Sequence, residues 1–353
     1  MRIMNTARPS RLAILGLLTL AGSLAACSST GTNTSMGSNN DSSEPYHLMY
    51  LDHPLAGKIW GTREQRFITR PELVKQLAKN DYILLGETHD NIIHHKNEAW
   101  IIQRLAELNT NAGVAFEMID DKQGEQMRQA KISSSPQLIS LLEKDKTGWD
   151  YRLNYRAVFD SAFTAGFPIF SANISRNRLM TILSNGKEQL PTSMKQQLAD
   201  NPLTEQQRAD LAKEIRNSHC GMSTPSMTDA MILGQSLRDA TMSNSLYANK
   251  QKGLNTMVLI AGSGHVRNDR GIPHYLRNSD KKAKILTIAW IEVYKGADEV
   301  KDYAKSWGDA GLPFDYVWFT PQADRPDPCE EMRKFMKKHK KGHTNPTPET
   351  RTI

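Results

Sequence analysis

Two short motifs contain the residue types with which this chain could do chemistry. Gly86-Glu87-Thr88-His89 and Gly262-Ser263-Gly264-His265 each place a histidine three residues after a glycine. Imidazole changes its protonation near neutral pH, so it can act as a general base, and it also binds transition metals. Glu117 and Asn173 add a carboxylate and an amide. These residue types suit the activation of water or the binding of a cation.

Two chemistries follow from this set. In the first, His89 acts as the general base on water at a hydrolytic site, and Asn173 or Arg267 stabilises developing negative charge. The candidate catalytic residues are Glu87, His89, Glu117, Asn173 and His265. In the second, His89, Glu117 and His265 hold a divalent Mn, Zn or Fe ion, because nitrogen and oxygen ligands suit these metals. The chain has neither the nucleophile-elbow motif of serine hydrolases nor the zincin motif, so those mechanisms lack support.

Each of these polar groups follows a short apolar run that is typical of a buried strand. The runs are residues 82–85, 112–116, 167–172 and 256–261. Helical spacing of apolar residues separates them, and this alternation predicts an α/β fold with a mostly parallel central sheet flanked by helices. Because the carboxyl ends of parallel strands meet at one sheet edge, we expect the polar groups to converge there. Residues from 174 to about 250 are predicted to form a helical insertion that caps the sheet.

The first motif leads into a predicted helix at residues 92–108. His94 and His95 are adjacent on this helix, so at most one of them can turn toward the strand ends. We expect Glu98 to lie on a different face of the helix from His95.

The N-terminal segment has the form of a bacterial export signal. Three arginines precede an apolar run at residues 12–20, and Leu24-Ala25-Ala26-Cys27 resembles the lipobox of bacterial lipoproteins. This pattern predicts a signal peptide over residues 1–26 and lipid attachment at Cys27. Residues 27–45 are rich in Ser, Thr, Asn and Gly and are predicted to be a flexible linker to the membrane. Position 28 is not Asp, so the outer membrane of the cell envelope is favoured over the inner membrane.

The folded domain is predicted to span residues 46–328, followed by a basic, disordered tail over 329–353. This tail supplies part of the formal charge of +7. No basic stripe interleaved with aromatic residues accompanies the charge, so nucleic acid is not an expected partner. The two remaining cysteines leave two alternatives: Cys220 pairs with Cys329 in an oxidising compartment, or Cys220, beside His219, faces a ligand pocket.

A set of motifs resembles the ChaN-type lipoproteins. They are Gly86-Glu87-Thr88-His89, Phe116-Glu117-Met118, Trp149-Asp150-Tyr151 with Tyr155, residues 167–173, His219-Cys220-Gly221 and Ala261-Gly262-Ser263-Gly264-His265-Val266. The ChaN type belongs to a superfamily that includes the TraB/Tiki proteins and the erythromycin esterases. The resemblance covers about residues 57–318, and it implies a haem-binding protein of the bacterial envelope that takes part in iron acquisition.

The resemblance also implies which kinds of residue contact haem. Tyr151 and Tyr155 are candidate axial ligands, because a phenolate suits ferric iron. The candidate ligands or partners of the propionates are His94, His219, His274 and Arg267. A homodimer that encloses the ligand is compatible with this hypothesis.

Two other functions stay open. One is a hydrolase of the TraB/Tiki/erythromycin-esterase type, either metal-dependent or based on histidine. The other is a non-catalytic envelope module that keeps the motifs as structural turns. A large apolar slot at the strand ends would favour haem, whereas a compact polar cage would favour hydrolysis.

Overall fold

The computed structural model describes residues 47–308 and 311–340, with side chains described up to residue 334 apart from that gap. The predicted signal peptide, the lipidation site Cys27 and the linker lie outside the described residues, as do residues 341–353. Within the described ranges, no helix combines the length and the apolar composition needed to cross a membrane.

The described strands form one eight-stranded sheet and a separate two-stranded pair. Their bounds are β1 Leu48–Met49, β2 Ile59–Gly61, β3 Arg66–Ile68, β4 Tyr82–Glu87, β5 Ala112–Asp120, β6 Ile169–Asn173, β7 Thr256–Gly262, β8 Ile285–Glu292, β9 Tyr316–Thr320 and β10 Gln322–Ala323. The order in the large sheet is β3-β2-β9-β8-β4-β7-β5-β6. All pairs from β9 to β6 are parallel, and β2 is antiparallel to β3 and β9. The predicted mostly parallel sheet is confirmed.

Helices cover both faces of this sheet. Their bounds are α1 Arg70–Leu77, α2 Ile92–Glu107, α3 Asp121–Ala130, α4 Ser135–Leu142, α5 Arg156–Thr164, α6 Arg176–Asn185, α7 Thr192–Asp200, α8 Glu205–Ser218, α9 Pro225–Lys250, α10 Ile272–Ser279, α11 Val300–Ala304 and α12 Pro328–Lys340. Single 3-10 turns lie at Glu143–Asp145, Lys187–Gln189 and Lys305–Trp307, and a π-helical turn at Tyr151–Tyr155 precedes α5.

Strand β4 is buried on both faces because it lies near the middle of the sheet. Ile83 and Leu85 pack into the core on the α2 and α5 side, whereas Tyr82 and Leu84 pack into the core on the α9 and α10 side. This alternation explains why the sequence of β4 is a continuous apolar run. The buried strand therefore holds its last residue, Glu87, at the carboxyl edge of the sheet.

Helices α6 to α9 occupy residues 176–250, where the sequence predicts a helical insertion. The longest of them, α9, starts at the N-cap Thr224, whose side chain accepts a hydrogen bond from the Met227 N–H, with Pro225 at the first helical position. It packs against β5, β6 and β7. Side chains from the insertion therefore reach the carboxyl edge of the sheet.

The segment after residue 328 differs from the prediction of a disordered tail, because residues 328–340 form helix α12. The Asp327 side chain accepts from the Cys329 N–H at 2.8 Å, and Lys334 pairs with Glu330 and Glu331 one turn earlier. Caps and pairs of this kind stabilise a helix end. Cys220 and Cys329 form a disulfide, so Cys220 offers no free thiol to a ligand.

Candidate functional site

The two glycine-histidine motifs meet at the carboxyl ends of adjacent strands. In the β4–β7 register, Glu87 lies opposite Gly262. A side chain at Gly86 would collide with Val266 and lie 3.0 Å from the Ser263 Cα, and one at Gly262 would lie 3.0 Å from His89 Nε2. Both glycines are therefore needed for the two loops to approach each other closely.

Glu87 is the centre of a buried cluster on the α2 side. Its Oε1 accepts hydrogen bonds from the Tyr155 hydroxyl and from His89 Nδ1, both at 2.7 Å. His95 Nε2 lies 2.9 Å from the other carboxylate oxygen, Oε2. Glu98, one turn after His95 on α2, is also fully buried, and its carboxylate lies within 4.8 Å of ligand atoms of Glu87 and His95. We call Glu87, His95 and Glu98 the β4–α2 cluster.

The pKa values of the two carboxyl groups of the β4–α2 cluster are shifted in opposite directions. Burial opposes the charge of Glu87, but the imidazoles of His95 and His89 outweigh it and hold the pKa of Glu87 well below its usual range. Burial raises the pKa of Glu98, and the negative charge of Glu87 raises it further. Two carboxyl groups with opposite pKa shifts thus share a dry environment.

A second buried cluster, the β5–α9 cluster, consists of Glu117, His265 and Asp239. His265 Nδ1 donates to Asp239 Oδ1 at 2.5 Å, and its Nε2 lies 3.3 Å from Glu117 Oε1. Glu117 Oε2 accepts from the Gly262 N–H at 2.8 Å. Burial disfavours a charged imidazole, but Glu117 and Asp239 outweigh it and raise the pKa of His265 to about 10. His265 is therefore a buried cation between two carboxylates.

His89 lies between the two clusters and reaches solvent. Its side chain is 35% exposed, with Nδ1 held by Glu87 and Nε2 3.9 Å from Glu117 Oε2. The ring packs edge-on against Trp149, with ring centroids 4.8 Å apart. Although burial works against protonation, the hydrogen bond to Glu87 and the charge of Glu117 raise the pKa of His89. His89 is the exposed end of a buried polar network.

The convergence predicted for the strand ends is therefore present for Glu87, His89, Glu117 and His265. The three proposed metal ligands His89, Glu117 and His265 lie together, with His265 Nε2 3.3 Å from Glu117 Oε1 and His89 Nε2 3.9 Å from Glu117 Oε2, and a metal ion held by them stays a prediction. Asn173 has a structural role: its Nδ2 donates to the Glu117 carbonyl at 3.0 Å, and its Oδ1 accepts from the Ile174 N–H.

Three candidate haem contacts are buried, and partners within the protein satisfy their polar atoms. The Tyr151 hydroxyl donates to the Met118 carbonyl at 2.8 Å. His94 Nδ1 accepts from the Thr88 N–H, which leaves Nε2 to donate to Thr320 Oγ1 at 2.8 Å. Burial lowers the pKa of His94 to about 3, so it stays neutral. The structure does not support Tyr151 or His94 as haem contacts.

The guanidinium of Arg267 is the third of these groups. Only 2% of its side chain is exposed, and it pairs with Asp269 at 2.6 Å and with Glu214 at 3.3 Å. It also donates to the Trp307 carbonyl. Partners within the protein thus hold this cation, and it is not available to a propionate or to a developing oxyanion at His89.

The two other histidines proposed for haem lie at the surface of the helical region. His274 is half-buried, and its Nε2 donates to the Asn201 carbonyl at 3.3 Å. His219 is half-buried at the end of α8, where its Nδ1 donates to the Ile215 carbonyl at 2.8 Å. Because a carbonyl can only accept, the neutral ring carries its proton on Nδ1 and presents a lone pair on Nε2. His219 is therefore fixed in a metal-binding tautomer.

Three polar residues of the clusters are absent from the set predicted to do chemistry. Asp239 comes from α9, far along the chain from the strands it contacts, and the sequence offers no local signal for it. His95 and Glu98 are three residues apart, which places them on the same helix face, contrary to the prediction. That spacing, next to the apolar residues Ile101 and Ile102, was the signal that could have identified the pair.

An apolar cavity of about 540 Å³ lies away from the strand-end site. Leu55, Trp60, Phe67, Val300 and Leu312 are among its lining residues. None of the described residues that line it is a His, Tyr, Met or Cys, so this cavity offers no usual axial ligand for haem iron.

These features define an α/β protein that presents two glycine-histidine motifs and buried carboxylates at one edge of a parallel sheet. Residues 73–276 match the family described as haem-binding uptake, Tiki superfamily, ChaN. The chain belongs to this family.

Solved structures of several proteins are similar to this chain. The ChaN protein of Campylobacter jejuni, described with cofacial haem binding, is 23% identical with a TM-score of 0.57, and the match covers 75% of this chain and 96% of that one. A mutant of erythromycin esterase EreC in its open conformation is 10% identical with a TM-score of 0.43, covering 75% and 97%. The type III effector HopBA1 is 15% identical with a TM-score of 0.41, covering 70% and 91%. No curated protein matches the sequence.

Proposed function

We propose that this protein binds haem and takes part in haem uptake, with His219 as an iron ligand. The observation that carries the proposal is membership of the haem-binding ChaN family over residues 73–276. Haem supplies an iron centre that accepts an imidazole nitrogen when bound. The contribution of the chain is a surface that holds the macrocycle and a histidine that is oriented before binding.

The strand-end site does not fit the macrocycle. Its groups form the compact polar cage that the sequence associates with hydrolysis, and the Tyr155 hydroxyl is fully buried against Glu87. His89 Nε2 lies above Gly262 and near Glu117 rather than toward an open apolar slot. These contacts support a haem site elsewhere on the chain.

Features of the turn between α8 and α9 support His219 as the ligand. The Ile215 carbonyl accepts from His219 Nδ1 and orients the ring, as a carbonyl commonly does behind a metal-bound histidine. Met222 and Met227 are 36% and 45% exposed beside this turn and would cover apolar parts of the macrocycle. Arg216 is exposed one turn before His219 and would pair with a propionate. The disulfide from Cys220 to Cys329 holds the turn to α12.

A titration with ferric haem tests this assignment. The protein without residues 1–27 should show a saturable Soret shift, and His219→Gln should weaken binding about tenfold or more, which corresponds to about 1.4 kcal/mol per tenfold. His274→Gln is the matched control, because it removes a half-buried histidine of the same helical region. Lack of saturable binding overturns the proposal, and a spectrum altered by Tyr155→Phe but not by His219→Gln overturns the ligand assignment.

Attachment to the outer membrane through Cys27, a homodimer around haem and a role in iron acquisition are finer parts of the same proposal. The lipobox-like Leu24-Ala25-Ala26-Cys27 and the polar linker support the lipid anchor. In cells fed with labelled palmitate, the protein should incorporate label, and Cys27→Ser should abolish it. Labelling that persists in Cys27→Ser would remove this part of the proposal.

Hydrolysis is a second candidate function, favoured by the geometry of His89. Glu87 orients the ring through Nδ1 at 2.7 Å, which leaves the partly exposed imidazole to take a proton from water. Because the pKa of His89 is raised, the rate should increase with pH as the ring loses its proton. A panel of nitrophenyl esters tests this: His89→Ala should abolish turnover while leaving the haem titration unchanged. No turnover above His89→Ala would eliminate this candidate.

A further inference from the structure

We propose that the β4–α2 cluster is a binding site for one divalent transition-metal ion, independent of haem. Its ligands are Glu87 at the end of β4 and His95 and Glu98 on α2. One atom from each residue lies within 4.8 Å of the others. The exposed fractions are 2% for Glu87 and 0% for His95 and Glu98, so all three ligands converge on a point inside the protein.

The donor atoms of this cluster lack hydrogen-bond partners among the described residues. Glu87 Oε2, both ring nitrogens of His95 and both carboxyl oxygens of Glu98 make no hydrogen bond within the described part of the chain. His95 Nε2 lies 2.9 Å from Glu87 Oε2, but the contact does not have hydrogen-bond geometry. Each unsatisfied buried polar group destabilises the folded state. A cation at the centre would satisfy several of them at once.

The ligand types indicate which cations suit the site. Two carboxylates and one neutral imidazole balance a charge of +2. The imidazole favours Mn²⁺, Fe²⁺ or Zn²⁺ over the all-oxygen sites of Ca²⁺ and Mg²⁺, and the absence of a thiolate among the three ligands disfavours Cu⁺.

The surroundings of Glu87 are those of a metal-binding carboxylate. Its Oε1 is held by Tyr155 and His89, which orients Oε2 toward His95 and Glu98. The Tyr155 ring also packs against His95, with ring centroids 4.7 Å apart. Such outer contacts orient the ligands before a metal binds. Through Glu87, an ion in this site would also fix His89 at the surface.

Equilibrium dialysis of the full-length chain against Mn²⁺ or Zn²⁺, followed by elemental analysis, tests the site. We expect about one bound ion per wild-type chain. Glu98→Gln and His95→Gln each remove a proposed ligand, so the affinity for the ion should fall at least tenfold in each variant. Glu117→Gln is the matched control, because it changes a buried carboxylate of the β5–α9 cluster and should keep the ion. Loss of the ion in Glu117→Gln with retention in Glu98→Gln would overturn the proposal.

A second measurement needs no variant. Electron spin-echo modulation of Mn²⁺ in the wild type should show coupling to one imidazole nitrogen, and added Mn²⁺ should raise the melting temperature. Absence of stoichiometric metal, or bound Mn²⁺ without nitrogen coupling, would mean that Glu98 simply shares a proton with Glu87. Either result would refute the metal site, and neither depends on the haem titration.

Discussion

The β5–α9 and β4–α2 clusters lie on either side of His89, and they differ in how their polar atoms are satisfied. In the β5–α9 cluster, His265 is a cation between Asp239 and Glu117, and Glu117 is also bound by the Gly262 N–H. In the β4–α2 cluster, the Glu98 oxygens have no hydrogen-bond partner among the described residues. The first cluster is electrostatically complete without a ligand, whereas the second is not. One sheet edge thus carries a structural ion cluster next to the proposed cation site.

The largest expected effect comes from removing one carboxylate of the β5–α9 cluster. Asp239→Ala removes the acceptor for His265 Nδ1 and leaves a poorly compensated buried cation. Breaking a buried pair in this way costs about 3–5 kcal/mol. Urea unfolding should show this loss in the free energy of unfolding, with Asp239→Asn losing less. If Asp239→Ala costs under about 1 kcal/mol, the β5–α9 cluster is not a structural ion cluster.

The free energy of unfolding should depend on pH in the direction set by the raised pKa of His265. Its folded pKa of about 10 lies above its usual 6.5, so the stabilisation is fully present below pH 6.5 and is lost as pH rises toward 10. The slope for one group is at most about 1.4 kcal/mol per pH unit. Urea unfolding at several pH values should show this decline in the wild type and a flatter profile in His265→Gln. Equal profiles for both proteins would contradict the assignment of charge to His265.

A smaller effect is expected at the border between the two clusters. Tyr155→Phe removes one of the two hydrogen bonds to Glu87 Oε1 while keeping the buried ring. A hydrogen bond to a charged group contributes about 1.5–3 kcal/mol. Thermal and urea unfolding should show a loss in this range, whereas the haem spectrum should not change because the ring is buried. A change in the haem spectrum would place the ligand in the strand-end site.

The part of this site that could be predicted from sequence is the part carried by strand ends. Apolar runs that stop at Glu87, Glu117 and Gly262 identify the strands, and parallel topology then brings their ends together. Asp239 could not be predicted, because its position depends on how the long helix α9 crosses the sheet. The relation between His95 and Glu98 could have been predicted from helix geometry, since residues three apart share a face.

The haem contacts could be predicted from the sequence less well than the strand ends, for a different reason. Tyrosine and histidine are amphipathic, and only tertiary structure shows whether a carbonyl or a ligand satisfies the polar atom. Tyr151 and His94 donate to Met118 and Thr320 inside the protein, whereas His219 donates at Nδ1 and keeps Nε2 available. The sequence does not distinguish these three residues as candidate haem ligands, whereas their hydrogen-bond partners in the folded protein do.

The smallest expected effect is also the one that separates the clusters most sharply. Without metal and below pH 4.5, Glu98→Gln exchanges a neutral acid for a neutral amide of similar size, so the free energy of unfolding should change by no more than about 0.5 kcal/mol. Because burial and Glu87 raise the pKa of Glu98, the wild type should lose stability relative to Glu98→Gln as pH rises above 4.5. Urea unfolding in a chelator, with and without added Mn²⁺, measures both effects. A loss above about 2 kcal/mol in the chelator would mean that Glu98 makes a strong hydrogen bond to Glu87. The β4–α2 cluster would then be as complete as its neighbour, and the reason to place a cation in it would disappear.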